Sequence, residues 1–247
     1  MVGRLILFGL LVGVAAGLLA FGWARAFGEG PVEAAIGFES AQNEAKEAAA
    51  KAAGQAVEEE EPEIFTRTVQ SGIGLLTGLV VVGAGLGCLF AVLFALAYGR
   101  LGRLTAGPTS ALLAALGLLS VYLVPALKYP ANPPSVGEPD TIRLRTGLYF
   151  LMVAISIGAT VVAAITQRRL VGKHGVWNAS VMAAGVYLVV IAAAFTFLPG
   201  INEVPPNFPA DTLWSFRVAS IGLQTVLWGS IGVLFGYVGE MTMGRAR

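Results

Sequence analysis

Six continuous apolar runs constrain this chain more than any motif in it. They lie at residues 5–23, 72–98, 109–127, 147–166, 176–198 and 217–238, and each is long enough to supply the ~20 helical residues that cross a hydrocarbon core about 30 Å thick. The runs are unbroken and do not alternate apolar with polar, so they predict helices rather than barrel strands, with every backbone group satisfied inside its own segment. Composition agrees: 56% of the residues are hydrophobic and 13% charged, about half the charged share of a soluble domain. The expected fold class is an all-α integral membrane protein, a bundle of about six transmembrane helices embedded in a lipid bilayer.

Cations set the expected orientation, because Lys and Arg in short flanks stay on the cytoplasmic side during insertion. Arg4, Arg100, Arg103, Arg168, Arg169, Lys173, Arg245 and Arg247 fall on one side, eight against the four at Lys128, Arg143, Arg145 and Arg217. Both termini are therefore expected inside. The first run also reads as a cleaved signal peptide ending near Ala24 to Ala26. Its length, and a glycine every fourth residue, favour a retained helix.

Those glycines are Gly9, Gly13 and Gly17, and the spacing recurs at Gly74 and Gly78, Gly83 and Gly87, and Gly232 and Gly236. Lipid provides no hydrophobic drive between helices, so such smooth faces let backbones approach and gain van der Waals contact. They predict a compact bundle or a docked partner helix, and they leave room for an oligomer.

Residues 28–71 form an acidic, Ala/Glu-rich extracytoplasmic insert holding ten of the fifteen acids. "NEAKEAAAKAA" predicts a short exposed helix, with Glu47 and Lys51 one turn apart. The run Glu58 to Glu61 with Glu63 reads as a solvated linker or a weak cation-collecting patch, and Glu63 stands one turn before Arg67.

The external loops echo each other. "NPPSVGEPDTIRLR" and "NEVPPNFPADTLWSFR" both pass a Pro-Pro pair, reach Asp-Thr, and end on an arginine at the mouth of a helix; Asp140 and Asp211 are 71 residues apart. Each predicts a proline-stiffened approach to a helix capped by Asp or Thr. Arg145 and Arg217 have Asp140 and Asp211 upstream as expected partners.

The expected chemistry is sparse. No Asp, Glu or Lys lies near the centre of a run, although ion-coupled carriers keep ionisable groups there. No Walker motif is present, no nucleophile, base and orienting group converge as an enzyme would require, and a net charge of +1 without a basic face argues against nucleic acid. Cys88 reads as a small packed hydrophobe, and the lone histidine, His174, as a residue at lipid-headgroup level. Metal candidates are oxygen donors on the outer loops: Glu138, Asp140, Glu203 and Asp211. No permanently bound cofactor is expected.

The stretches "VYLVPALKYPANPPSVGEPDTIRLRTGLYF", "RTVQSGIGLLTGLVV", "GVWNASVMAAGVYLVV" and "NEVPPNFPADTLWSFRVASIGLQTVLWGSIGVLFGYV" closely resemble the CbtA family of predicted cobalt transporter subunits, over nearly the whole chain except residues 28–62. The resemblance implies a bacterial inner-membrane subunit linked to cobalamin-regulated cobalt(2+) uptake, acting with a small CbtB partner that carries one membrane helix and histidines. It also implies a substrate path through Arg67, Gln70, Tyr129, Asn132, Tyr149, Asn178, Arg217 and Gln224, beside Pro130, Pro133, Pro134, Glu138, Asp140 and Glu203. This chain lacks histidines of its own for such a path, so its ligands would be oxygens or the partner's imidazoles. The alternative is a non-transporting membrane scaffold or assembly subunit.

Overall fold

The computed structural model describes residues 2–54, 65–102 and 104–243. Glu58 to Glu61, Glu63, Arg103, Arg245 and Arg247 lie outside the described residues. All regular structure among the described residues is helical. The first helix, α1 (Val2–Trp23), passes through a π-helical turn at Ala24–Gly28 directly into α2 (Glu29–Ala52). A short α3 (Arg67–Val69) leads through a second π-helical turn, Gln70–Gly74, into α4 (Leu75–Ala97). Next, α5 (Ala106–Gly117) continues through a third at Leu118–Leu123 into α6 (Val124–Lys128), and α7 (Ile142–Phe197) and α8 (Ala210–Met243) follow.

Five helical runs among the described residues are long and apolar enough to cross a membrane, one fewer than the sequence predicts. The difference lies in α7, which contains both the 147–166 and the 176–198 runs. No loop separates them; the reversal is made at Gly175, at φ 74° and ψ 169°, a conformation a side chain disfavours. A hydrogen bond of 3.0 Å between the hydroxyls of Ser156 and Tyr187 shows that the two halves lie side by side. In a straight helix those residues would stand about 46 Å apart.

The first run also differs from expectation in length. Helix continues from Gly3 to Ala52, about 75 Å of it, so α2 extends well beyond the thickness of a hydrocarbon core.

The chain divides into two compact units. One holds α1 to α4, the start of α5 up to Ala114, Asn132–Val136, and α8 with the loop before it from Val204. Its centre is a glycine seam between α1 and α4: a Cβ at Gly9 would strike the Gly87 carbonyl, one at Gly13 the Gly83 carbonyl, and one at Gly17 the Leu79 carbonyl. Gly83 and Gly87 meet α1 reciprocally, whereas Gly78 faces open space and Gly74 has only Val69 of its own helix nearby. At α8, Gly232 lies against Ala114, and Gly236 against Gly107 and Ser110, with the Ser110 hydroxyl donating to the Gly232 carbonyl at 2.7 Å. Phe235 of α8 meets Phe90 and Phe94 of α4 at ring separations of 5.3 and 5.0 Å.

The other unit comprises Ala115–Ala131 and Gly137–Glu203. Its core packs Val124, Tyr129, Leu148, Met152, Ala159, Ile191 and Ala194 together, and the Ser120 and Thr160 hydroxyls, 2.8 Å apart, tie the third π-helical turn to α7. Large apolar side chains such as Leu89, Val189 and Val233 stand exposed around both units, as a hydrocarbon solvent allows.

Candidate functional site

The proline-rich loops carry most of the candidate residues, and proline chemistry explains how they are placed. Proline has no N–H, so the carbonyl four residues before it loses its helical donor. Pro125 follows the π-helical turn, in which the Val124 N–H bonds the Leu119 carbonyl five residues back, and the Tyr149 hydroxyl donates to the Val121 carbonyl in that turn at 3.2 Å. Pro199 takes the donor from the Phe195 carbonyl, and Lys128 Nζ donates there at 2.8 Å, placing a cation at the end of α7 where the last carbonyls concentrate negative charge. The adjacent Tyr129 donates its hydroxyl to the Pro199 carbonyl at 2.8 Å, and burial pushes its phenol up from the ordinary value. "KYP" is thus a two-residue clamp on the end of α7.

Glu203 is the focus of the same unit. Its Oε2 accepts the Glu138 N–H at 2.9 Å and pairs with Arg145 Nε at 3.3 Å. The Thr141 hydroxyl, the Glu138 N–H and the Arg145 guanidinium hold its carboxyl below the usual glutamate range. Arg145 also donates to the Glu138 carbonyl at 3.2 Å. Its guanidinium lies where a Cβ at Gly137 would stand, and Gly137 has φ +127°, so only glycine fits there. Asp140 is not Arg145's ion-pair partner. The expected cap is absent too: neither Asp140 nor Thr141 makes a side-chain cap at the start of α7. A 3-10 turn at Pro139–Thr141 leads in instead, and the Thr141 hydroxyl has the Glu138 carbonyl as an acceptor at 2.9 Å. Asp211 lies in the first turn of α8, where a carboxylate suits the helix dipole.

In the first unit the two Pro-Pro pairs build matching turns. The Val136 N–H returns to the Pro133 carbonyl at 3.2 Å, and the Phe208 N–H to the Pro205 carbonyl at 3.0 Å. The residues closing the turns, Val136 and Phe208, are buried in one apolar cluster with Ala35 of α2, where Phe38 meets Phe208 edge-on at 5.1 Å. Arg217 donates to Asn132 Oδ1 at 3.0 Å. A pattern hidden in the sequence emerges: each loop's terminal arginine reaches a residue one or two positions before the other loop's Pro-Pro pair, Arg145 pairing with Glu203 and Arg217 bonding Asn132.

The remaining candidates are dispersed. Arg67 pairs with Glu29 at the start of α2, and Glu63, its expected neighbour, is outside the described residues. Gln70 Nε2 donates to the Phe65 carbonyl at 2.9 Å. Asn178 is exposed on α7 and Gln224 half-buried on α8. Glu138, Asp140 and Asp211 are exposed. Among the described residues no three of His, Cys, Asp or Glu gather as a metal would require. Sequence reading missed Lys128 as a clamp and Glu203 as Arg145's partner. The proline four residues after a helical carbonyl was a legible sign of the first, whereas 58 residues separate the second pair.

These helices and apolar surfaces define a multi-pass membrane protein. A family model described as "Probable cobalt transporter subunit (CbtA)" matches residues 2–240, so the chain belongs to the CbtA family, and the match includes residues 28–62. No curated protein and no solved structure matches it.

Proposed function

We propose that this chain is the main membrane subunit of a cobalt(2+) importer, set in a bacterial inner membrane with both termini cytoplasmic, and that a small CbtB-like protein with one membrane helix supplies the imidazoles. The observation that carries the reading is the family match across residues 2–240. Among the described residues no three of His, Cys, Asp or Glu gather, so in this reading the imidazoles that suit borderline metals come from the partner. In this reading Glu138, Asp140, Glu203 and Asp211 attract cations to the outer loops. Tyr129, Asn132, Tyr149, Arg217, Arg67, Gln70, Asn178 and Gln224 are the residues this reading assigns to the path. The test is accumulation of labelled cobalt by intact cells expressing the chain, the small partner, or both. Co-expression raises accumulation; equal accumulation in all cells overturns the reading.

The second reading, a scaffold or assembly subunit without transport, is favoured by the backbone-to-backbone glycine seam of α1 and α4, a contact that serves rigidity. Its mark is a partner that is lost from the membrane when this chain is deleted, with no metal flux in either state.

A further inference from the structure

The reversal at Gly175 presents a surface of which the transport reading uses only Asn178. Every residue from Gly172 to Asn178 is exposed, Trp177 at 79% and Val176 at 67%. Arg168, Arg169 and Lys173 place three fixed cations within six residues, and His174 follows them. Between Asp140 and Glu203 the chain has no Asp or Glu, so both halves of α7 approach this apex without an acidic residue.

Arg169 and Lys173 are four residues apart on the same helical stretch, so their stems rise from one face. Such stems lie along apolar surface while the charged ends extend to the aqueous boundary. Across the turn, Val176 and Trp177 begin an apolar surface that runs on to the exposed Val181, and an indole there settles at headgroup level. Cations on one flank of a tight turn and an exposed indole on the other match a molecule that is anionic at one end and apolar at the other.

We propose that the Gly175 apex is a binding site for an acidic phospholipid. Arg169 and Lys173 hold the headgroup phosphate, Arg168 adds to the local field, and Trp177 with Val176 packs against the glycerol and upper acyl region. A soluble phosphate would satisfy the cations and leave the exposed indole without a partner, so the lipid is the ligand that uses both. Each cation near an acidic membrane surface contributes about fivefold to affinity.

The test uses the full chain in nanodiscs of mixed phosphatidylglycerol and phosphatidylcholine, with one lipid brominated on its upper acyl chain at a time. Subtracting the signal of Trp177→Phe isolates the quenching of Trp177. Brominated phosphatidylglycerol quenches Trp177 more than brominated phosphatidylcholine at equal mole fraction, and Arg169→Gln with Lys173→Gln makes the two equal while the elution profile and melting temperature stay unchanged. Equal quenching in the unmodified chain overturns the proposal, as does a preference that survives the double substitution. Loss of the preference on adding soluble glycerol phosphate assigns the site to free phosphate and also overturns it. None of these readouts depends on cobalt transport.

Discussion

The hydroxyl of Tyr149 donates to the carbonyl of Val121 at 3.2 Å, the carbonyl that Pro125 cannot serve from four residues further on. In hydrocarbon a carbonyl has no water to turn to, so the tyrosine hydroxyl is a partner for the π-helical turn that leads into Pro125. Tyr149→Phe is expected to lower stability by about 1–2 kcal/mol. Adding Pro125→Ala restores an N–H to the helix, so the double variant should lose less than the two single losses combined. Thermal unfolding of all four proteins in one detergent measures the coupling; additive losses would separate the two residues.

Two glycines on neighbouring helices should respond to the same change with opposite signs. Gly13→Ala drives a methyl group into the Gly83 carbonyl and should cost about 1–3 kcal/mol through overpacking. Gly78 has nothing within 4 Å, so Gly78→Ala should be neutral or gain up to about 1 kcal/mol from helix propensity. Melting temperatures in detergent check the pair.

Much of this fold could be read from the chain. Apart from Tyr98 and Leu198 at their ends, the apolar runs fall within the observed helices because hydrocarbon demands internally bonded backbone, a local and strong constraint. The one-residue reversal was less visible: Gly175 sits within "GKHGVW" and looks like any loop glycine, and the helix-forming residues on both sides keep their bonds up to it. The echo of the loops was legible as a pattern, with arginines at their ends. Their partners were not, because Glu203 and Asn132 are selected by tertiary approach across 58 and 85 residues. The nearby Asp140 was the better guess by sequence distance alone.

Glu203 sets an acid limit on the loop. Its carboxyl is held below the ordinary value by the Thr141 hydroxyl, the Glu138 N–H and Arg145. A depressed folded value contributes stability above the unfolded value, near 4.3, and that contribution is lost as pH falls through the folded value. The melting temperature of the native chain should therefore exceed that of Glu203→Gln at neutral pH. The gap should close as the pH falls below the unfolded value. A gap independent of pH would remove the charge from the explanation.

The exposed acids should act on capture rather than turnover. Glu138→Gln with Asp140→Asn removes two carboxylates while keeping similar shapes, so uptake by the assembled system should show a several-fold higher apparent KM for cobalt and an unchanged maximal rate. The effect should shrink as salt is raised, since exposed charges more than about 10 Å from their target are screened at ~0.1 M. Uptake rates across cobalt concentrations at low and high salt measure it; a fall in maximal rate alone would contradict surface attraction.

Flux itself is the most direct measure. Purified chain is reconstituted into sealed proteoliposomes alone and with a small single-helix, histidine-bearing partner, labelled cobalt is added outside, and the internal label is followed in time. The account predicts cobalt entry that saturates with concentration and requires both proteins. No entry above protein-free liposomes in either preparation, with both proteins inserted and associated, would contradict it and leave the scaffold.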